Sequence, residues 1–258
     1  MQIIYIPKNF PQDAKYDALK QFRFQDNDEL KYSLRSVQMF APWVRNIFIV
    51  TNGQLPPWLN VSHPKVRIIT HEVVFTDKSH LPTFSSFAIE CHLSKIPNLS
   101  EYFIYMNDDF FFGNTVQPTD FMCGNTHKVR LAWKAPRREE QKANSKTDTY
   151  GNSLMYTGEL LDERYGKQER YVIAHAPYFF KKSVLEKVLA LWKQQFEETS
   201  SHKFRTNSDM LLAFTLDFFE IYSKIAHPTP FQLLLLPYER DEQVLLSLST
   251  FRCFRRES

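Results

Sequence analysis

The chain has 258 residues, of which 43% are hydrophobic and 15% aromatic, and it carries a formal net charge of +3. This composition provides for a packed core and excludes disorder over most of the length. The small positive charge is spread along the chain, which argues against a nucleic-acid partner and is compatible with an anionic small substrate.

Cysteines and apolar runs bear on the cellular location. No apolar run reaches the 18 or more residues that suggest a membrane-spanning helix, and residues 1–10 lack the pattern of a secretory signal. Cys91, Cys123 and Cys253 are odd in number and have no CxxC spacing. They predict reduced thiols without a disulfide or a zinc site, and therefore a protein of the bacterial cytoplasm.

The first elements are a short strand and a helix. Residues 3–6, Ile-Ile-Tyr-Ile, form a β-like run that ends at Pro7. The acidic stretch 26–29 supplies residues typical of a helix start, and the apolar residues that follow recur at roughly helical spacing. This pattern predicts a helix that ends before Pro42.

Three apolar runs then alternate with a helical pattern. Residues 46–51, 66–71 and 102–106 are typical of buried strands, and residues 85–96 favour a helix. The alternation predicts an α/β fold with a mostly parallel sheet flanked by helices. Ligands bind beyond the carboxyl ends of such strands, where Asn52-Gly53 and Asn107-Asp108-Asp109 follow.

The second half is divided by a polar stretch. Residues 134–170 are charged and poor in aliphatic side chains, which predicts an exposed insert or lid. Helices are predicted at 182–198 and 209–224, and a further strand at 233–236. The basic tail, residues 252–256, offers a contact with an anionic membrane surface.

The adjacent acids after the third apolar run are the sharpest chemical signal. Asp108 and Asp109 would place two carboxylates at a strand end, where Mg²⁺ binds through one or two carboxylates and substrate phosphates. An ordinary turn explains the same residues equally well. The apolar residues that follow, 110–112, favour the metal interpretation because they exclude water.

Other candidate residues are ambiguous by themselves. Glu90 on a predicted helix is more often a solvated surface group, and His175 is more often structural. Arg205 precedes a predicted helix start, where phosphate binding is physically easy, but a solvated surface cation is as good an explanation. Arg35 could pair with phosphates or with the acids at 28 and 29.

Taken in order, these blocks resemble the Stealth family of sugar-phosphate transferases. The resemblance is strong over residues 24–121 and weaker over about 150–224, and it rests on ordered sequence blocks. The blocks are residues 26–36 (DNDELKYSLRS), 41–45 (APWVR), 49–54 (IVTNGQ), 81–90 (LPTFSSFAIE), 107–109 (NDD), 164–166 (RYG), 174–177 (AHAP), 202–205 (HKFR) and 208–210 (SDM).

The resemblance implies a single catalytic domain over residues 1–258, with a nucleotide-sugar-transferase-like fold and a helical part at 171–224. Family active-site roles fall on four residues of this chain, which are Glu90, Asp109, His175 and Arg205. The predicted metal ligands of Mg²⁺ or Mn²⁺ are Asp108 and Asp109. The predicted substrate-binding residues are Arg35, Asn52, Gly53, Asn107 and His202.

The implied activity is transfer of a hexose-1-phosphate, such as GlcNAc-1-phosphate, from a nucleotide sugar to a carbohydrate hydroxyl. A nucleoside monophosphate would be released, in capsule or exopolysaccharide synthesis. A metal-dependent glycosyltransferase that releases a nucleoside diphosphate is one alternative. An inactive carbohydrate-binding homologue is another, because the chain lacks the Trp-Val-Asp/Asn-Gly type turn of the family's first region and its C-terminal Asn-Asp pair.

Overall fold

A computed structural model describes residues 27–141 and 147–230, together with two short strand segments at 234–235 and 245–246. The β-like run at 3–6 and the basic tail at 252–256 lie outside the described residues.

Helices and strands alternate through most of the described chain. The helices are α1 (Glu29–Phe40), α2 (His71–Val74), α3 (Ser86–Glu90), α4 (Pro118–Phe121), α5 (Thr149–Tyr165), α6 (Lys182–Leu191), α7 (Lys193–Ser201) and α8 (Leu212–Tyr222). The strands are β1 (Ile47–Thr51), β2 (Val66–Thr70), β3 (Tyr102–Tyr105), β4 (Met122–Cys123), β5 (Thr126–Lys134), β6 (Tyr171–Ile173), β7 (Tyr178–Lys181), β8 (Ala226–Pro230), β9 (Leu234–Leu235) and β10 (Leu245–Leu246).

The strands form several small sheets that are only partly parallel. β1 pairs with β2 in parallel, as the two apolar runs predicted. β3 instead pairs with β7 in antiparallel orientation. β5 lies between β6, which is antiparallel to it, and β8, which is parallel to it. β4 forms an antiparallel hairpin with the first part of β5. The fold is therefore mixed α/β, and the expectation of a mostly parallel sheet is wrong, because several of the strand pairs are antiparallel.

The helix predicted at 85–96 is shorter than expected. α3 ends at Glu90, and a separate single 3₁₀ turn occupies Leu93–Lys95. Its short length puts Glu90 in the last turn, where the side chain faces the end of β3 and not the middle of a helix face.

The polar stretch at 134–170 contains a core helix. α5 buries Leu154, Leu160 and Leu161, which pack in the main hydrophobic cluster with α6 and α8, and it also buries Met155. The prediction of an exposed insert is therefore wrong for residues 149–165. Its many charges misled the prediction because they lie on the other face of an amphipathic helix.

The two helices predicted after residue 180 differ in their boundaries. The backbone at Trp192 leaves the helical region and divides the predicted helix 182–198 into α6 and α7. α8 begins at Leu212, three residues after Asp209, which stays in the preceding loop as a fully buried carboxyl group.

The cysteines correct one expectation. Cys91 is a buried free thiol, but Cys123 is disulfide-bonded, and Cys253 lies outside the described residues. The expectation that all three cysteines are reduced thiols is therefore wrong. Within the part of the chain that the structure describes, no helix has both the length and the apolarity needed to cross a bilayer.

Candidate active site

A cavity of about 1240 Å³ opens where β1, β3, α1 and α3 meet. Much of its wall is apolar. Polar groups join the wall just beyond the carboxyl end of β3 and from two later loops. These polar groups include Asn107, Asp108, Asp109, His175 and Arg205.

The acid pair lies in a turn that begins where β3 ends. The amide of Phe110 donates to the carbonyl of Asn107 at 3.1 Å, which closes the turn. Asp108 and Asp109 are exposed in this turn, whereas Phe110 is buried. The turn and the carboxylate pair thus coexist, because burial of the phenyl ring directs the preceding acids outward.

His175 faces Asp109 across the cavity mouth. Its Nε2 atom lies 4.0 Å from Oδ2 of Asp109, and both side chains are more than half exposed. The ring of Phe110 packs edge-on against the imidazole, with the centroids 4.5 Å apart. The nearby imidazole of His175 is the main cause that lowers the pKa of Asp109 below its usual range.

Glu90 is partly buried beside the cavity wall. The hydroxyl of Tyr105 donates to its Oε1 atom at 3.1 Å. Burial raises the pKa of Glu90 to about 7, and the Tyr105 hydrogen bond, Arg205 and His175 act in the opposite direction. A carboxyl group with this pKa exchanges a proton near neutral pH.

Arg205 reaches the cavity from the loop between α7 and α8. Its Nη2 atom donates to the Ser86 hydroxyl at 2.7 Å, and its guanidinium carbon lies 4.4 Å from the centre of the Phe87 ring. α3 therefore orients the guanidinium by a hydrogen bond and a cation–π contact.

The loop that carries Arg205 is fixed at both ends. The amide of Phe84 donates to the carbonyl of Lys203 at 2.7 Å, which joins the loop to the segment before α3. Nδ1 of His202 lies 2.7 Å from Oδ1 of Asp209, whose other oxygen accepts from the amide of Thr206 at 2.8 Å. The buried carboxyl group of Asp209 thus stabilises the conformation of the loop.

The structure brings the four candidate active-site residues into one neighbourhood. The charges of Arg205 and His175 both act on Glu90, and His175 acts on Asp109. These residues are far apart in sequence, so the fold and not local sequence brings them together.

The predicted substrate-binding residues are placed differently. Asn107 lines the cavity, whereas four others are not part of its wall. Arg35 is exposed on α1 over the ring of Tyr32. Asn52 and Gly53 form the turn after β1, where Gly53 has a φ of 103° that favours glycine. His202 supports the Arg205 loop.

Sequence reasoning missed three supporting side chains. Tyr105 was treated only as part of a strand, although it lies two positions before Asn107 and so on the same side of an extended chain. Ser86 and Asp209 lie inside family-like sequence blocks but had no role assigned. Their position within those blocks was the available signal.

Two carboxylates are available for a divalent cation. Asp108 and Asp109 are adjacent and line the cavity. In the ranges 27–141 and 147–230, no group of three or more His, Cys, Asp or Glu side chains could hold a metal ion. The pair fits Mg²⁺, which keeps waters and takes phosphate oxygens alongside one or two carboxylates, but not an all-protein cage.

Comparison with protein families decides the family of the chain. Residues 23–130 match the model of conserved region 2 of the Stealth proteins, and residues 174–222 match that of conserved region 3. The chain belongs to the Stealth family. Glu90 and Asp109 come from the first matched region of this Stealth protein, and His175 and Arg205 from the second.

Curated relatives include bacterial and mammalian proteins. An exopolysaccharide phosphotransferase of Streptomyces coelicolor, SCO6023, is 37% identical over 223 residues, which cover 85% of this chain and 38% of that protein. The human N-acetylglucosamine-1-phosphotransferase subunits alpha/beta are 54% identical over 130 residues, which cover 50% of this chain and 10% of that protein. The exopolysaccharide phosphotransferase CpsY of Mycobacterium tuberculosis is 37% identical over 203 residues, which cover 78% of this chain and 37% of that protein. The matched part of the chain thus spans about two fifths or less of the length of these relatives.

Proposed function

We propose that this Stealth protein transfers a sugar-1-phosphate from a nucleotide sugar to a carbohydrate hydroxyl and releases a nucleoside monophosphate. The observation that carries the proposal is the meeting of Asp109, His175 and Arg205 at one cavity. The printed names of the relatives, which are phosphotransferases of exopolysaccharide or of N-acetylglucosamine-1-phosphate, support the reaction class.

Arg205 is the proposed phosphate-binding cation. Its guanidinium is oriented by Ser86 and Phe87 and lines the cavity. A preoriented guanidinium binds phosphoryl oxygens with two parallel hydrogen bonds and stabilises the charge that develops on them during transfer.

Asp108 and Asp109 are the proposed ligands of Mg²⁺ or Mn²⁺. The lowered pKa of Asp109 keeps its carboxylate ionised at neutral pH, which suits a hard cation. When bound, the cation would neutralise part of the diphosphate charge of the donor.

His175 is the proposed general base, with Glu90 as the group that orients the acceptor or shares that role. The acceptor oxygen would attack the phosphorus next to the sugar, and the bond from that phosphorus to the bridging oxygen of the diphosphate would break. The hydroxyl proton would pass to Nε2 of His175, and the nearby Asp109 carboxylate would stabilise the resulting imidazolium. The nucleoside monophosphate leaves with the bridging oxygen.

The test is identification of the released nucleotide. The protein is incubated with Mg²⁺, carbohydrate acceptors and a panel of nucleotide sugars that includes UDP-GlcNAc, and the products are separated by chromatography. Release of UMP, abolished by Asp109→Asn and retained by Glu72→Gln, is the expected result. Glu72 is an exposed acid that does not line the cavity.

Two other outcomes would overturn the proposal. Release of UDP would assign the chain to glycosyl transfer, for which a strand-end acid pair is equally suited. Release of neither nucleotide from folded protein would leave a homologue that binds carbohydrate without turnover.

A further inference from the structure

The start of α5 and the two residues before it form a polar part of the cavity wall. The residues that reach the cavity there all have polar side chains, and they are Thr147, Asp148, Thr149, Tyr150 and Asn152. None of them has a role in the proposed reaction. Much of the remaining wall is apolar, so this turn is a second place where a polar ligand finds hydrogen-bonding partners.

This part of the wall is preorganised. Oδ1 of Asp148 accepts from the amide of Gly151 at 2.7 Å, which caps the helix. The side-chain amide of Asn152 donates to the carbonyls of Thr147 and Asp148 at 3.1 and 2.9 Å. Local hydrogen bonds therefore set the shape of the turn before a ligand binds, which lowers the entropic cost of binding.

Two buried hydroxyl groups join α5 to the segment that carries Arg205. Oγ of Ser153 donates to the carbonyl of Thr206 at 2.9 Å. The amide of Leu211 donates to Oγ1 of Thr157 at 3.0 Å. Ser153 and Thr157 are fully buried, so these hydrogen bonds are shielded from water. The start of α5 and the Arg205 loop are therefore held at a fixed spacing.

Tyr150 and Arg205 contact the same aromatic ring. The guanidinium carbon of Arg205 lies 4.4 Å from the centre of the Phe87 ring. The centre of the Tyr150 ring lies 6.4 Å from the same point, and the two rings are tilted by 45°. Tyr150 is nevertheless 41% exposed and lines the cavity, so part of its side chain is open to a ligand.

The phenol of Tyr150 is a hydrogen-bond donor at neutral pH. Burial and the charges of Glu90 and Asp148 raise the pKa of Tyr150 above its usual value, and Arg205 acts in the opposite direction. These charges act on Tyr150 because they lie near its hydroxyl group. The donor therefore lies beside the proposed phosphate-binding cation.

We propose that Tyr150 contacts the sugar of the bound sugar-1-phosphate, next to the phosphate that Arg205 binds. This sugar is bonded directly to that phosphate, so a side chain that shares the Phe87 ring with Arg205 lies within its reach. The phenol offers a donor for a sugar hydroxyl and an apolar ring for the C–H surface of the pyranose. The inference rests on the proposed function for the identity of the ligand.

The other parts of the two substrates fit this wall less well. The acceptor hydroxyl must reach His175, the proposed base, which lies beside Asp109. The nucleobase is separated from the transferred phosphate by a ribose and a second phosphate, and therefore lies farther from Arg205 than the sugar does. A sugar carries several hydroxyl groups that both donate and accept, which suits the hydroxyl, amide and carboxylate groups around Tyr150.

Equilibrium binding measures this contact without turnover. Isothermal titration calorimetry in the presence of Mg²⁺ is done with inorganic phosphate and with a panel of hexose-1-phosphates that includes GlcNAc-1-phosphate. The proteins are the wild type, Tyr150→Phe, Tyr150→Ala and the matched control Tyr171→Ala. Tyr171 is 40% exposed and lies outside the cavity wall.

The loss of affinity should depend on the sugar. Tyr150→Ala should weaken binding of the tightest hexose-1-phosphate by about tenfold or more, because it removes both the hydroxyl and the ring. Tyr150→Phe should weaken it by about fivefold, as expected for one hydrogen bond, and covers the case in which Tyr150→Ala does not fold. The Kd of inorganic phosphate should stay within about twofold in both variants. Tyr171→Ala should bind all ligands like the wild type.

Three results would overturn the inference. They are equal Kd values in the wild type and both Tyr150 variants, an equal loss for inorganic phosphate and sugar phosphate, and no binding of any hexose-1-phosphate to the wild type. Release of UMP is a separate outcome. If Tyr150 affects sugar-phosphate binding while no UMP is released, the proposed reaction fails and the sugar contact remains. If UMP is released while the Kd values are unchanged, the reverse holds.

Discussion

The Tyr105 hydroxyl lies 3.1 Å from Oε1 of Glu90 and ties the last residue of β3 to the last residue of α3. The two groups have opposite effects on one another. Glu90 and burial together raise the pKa of Tyr105 well above its usual value, so the phenol remains a donor. Its hydrogen bond in turn favours the ionised form of Glu90, which burial disfavours.

Replacement of Tyr105 should move the pH dependence of activity. Tyr105→Phe removes a hydrogen bond to the carboxylate, so the pKa of Glu90 should rise above about 7. If Glu90 acts in its ionised form, the acidic limb of the kcat/KM profile should move to higher pH by about one unit. Tyr102→Phe, on the same strand but without a hydrogen bond to Glu90, should leave the profile in place, and an equal shift in both variants would contradict the pairing.

His175→Gln should lower kcat by about 10² to 10⁴-fold, as expected for loss of a general base. The pKa of Asp109 should also rise toward its usual value, because the nearby imidazole of His175 is the main cause that lowers it. The exposed His63, which lies outside the cavity wall, gives the matched control His63→Gln. Near-normal turnover in His175→Gln combined with an inactive Asp109→Asn would transfer the base role to Glu90.

Ser86→Ala should weaken donor binding more than it slows turnover. The variant removes the hydroxyl that accepts from Arg205 but keeps the guanidinium over the ring of Phe87. A hydrogen bond to a charged group at a half-exposed site contributes about 1 kcal/mol, which corresponds to a rise in donor KM of about fivefold. Ser201→Ala on the surface of α7 serves as control, and a fall in kcat with unchanged KM would argue against a binding role for Arg205.

Stability should depend on the buried carboxyl of Glu220. Burial raises its pKa from 4.5 to about 9, and the side chain contacts the buried His127. The folded state therefore holds a proton that the unfolded state releases above pH 4.5. This group's contribution to the free energy of unfolding is complete below pH 4.5 and is lost as the pH rises toward 9.

Glu220→Gln should abolish that loss. Relative to wild type, its free energy of unfolding should increase with pH between 7 and 9 by at most about 1.4 kcal/mol per unit. Urea unfolding at several pH values measures this difference. Burial lowers the pKa of His127 to about 4, so below pH 6.5 this residue makes the free energy of unfolding increase with pH, opposite to the effect of Glu220. The range above pH 7 avoids this contribution. The exposed Glu197→Gln should show no such trend, and parallel pH curves for Glu220→Gln and wild type would refute the assignment.

The sequence alone predicted the elements whose formation depends on residues that are neighbours along the chain. β1 and β2 are continuous apolar runs, and their parallel pairing was foreseen. The antiparallel orientation of β3 was not predicted, because its partner β7 lies more than 70 residues later along the chain. Nothing in either apolar run specifies the relative direction of the two strands. α5 was missed since its apolar residues are diluted by charges on the opposite face.

The candidate site shows the same division. Sequence blocks singled out Glu90, Asp109, His175 and Arg205, and the fold brings them together. The blocks could not distinguish residues that line the cavity from residues that support it, as His202 illustrates through its contact with the buried Asp209. That distinction depends on tertiary contacts.

The first turn of α5 has a consequence for substrate choice within the family. Residues 147–150 and Asn152 line the cavity, yet they lie between the two stretches that match the Stealth models. The matched regions supply the groups proposed for chemistry, whereas this wall is the part of the cavity that the family pattern leaves unspecified. The buried face of α5, at Leu154 and Leu161, packs on the main core and holds the helix in place. Sequence changes at the start of this one helix would therefore let members that share one reaction recognise different sugars.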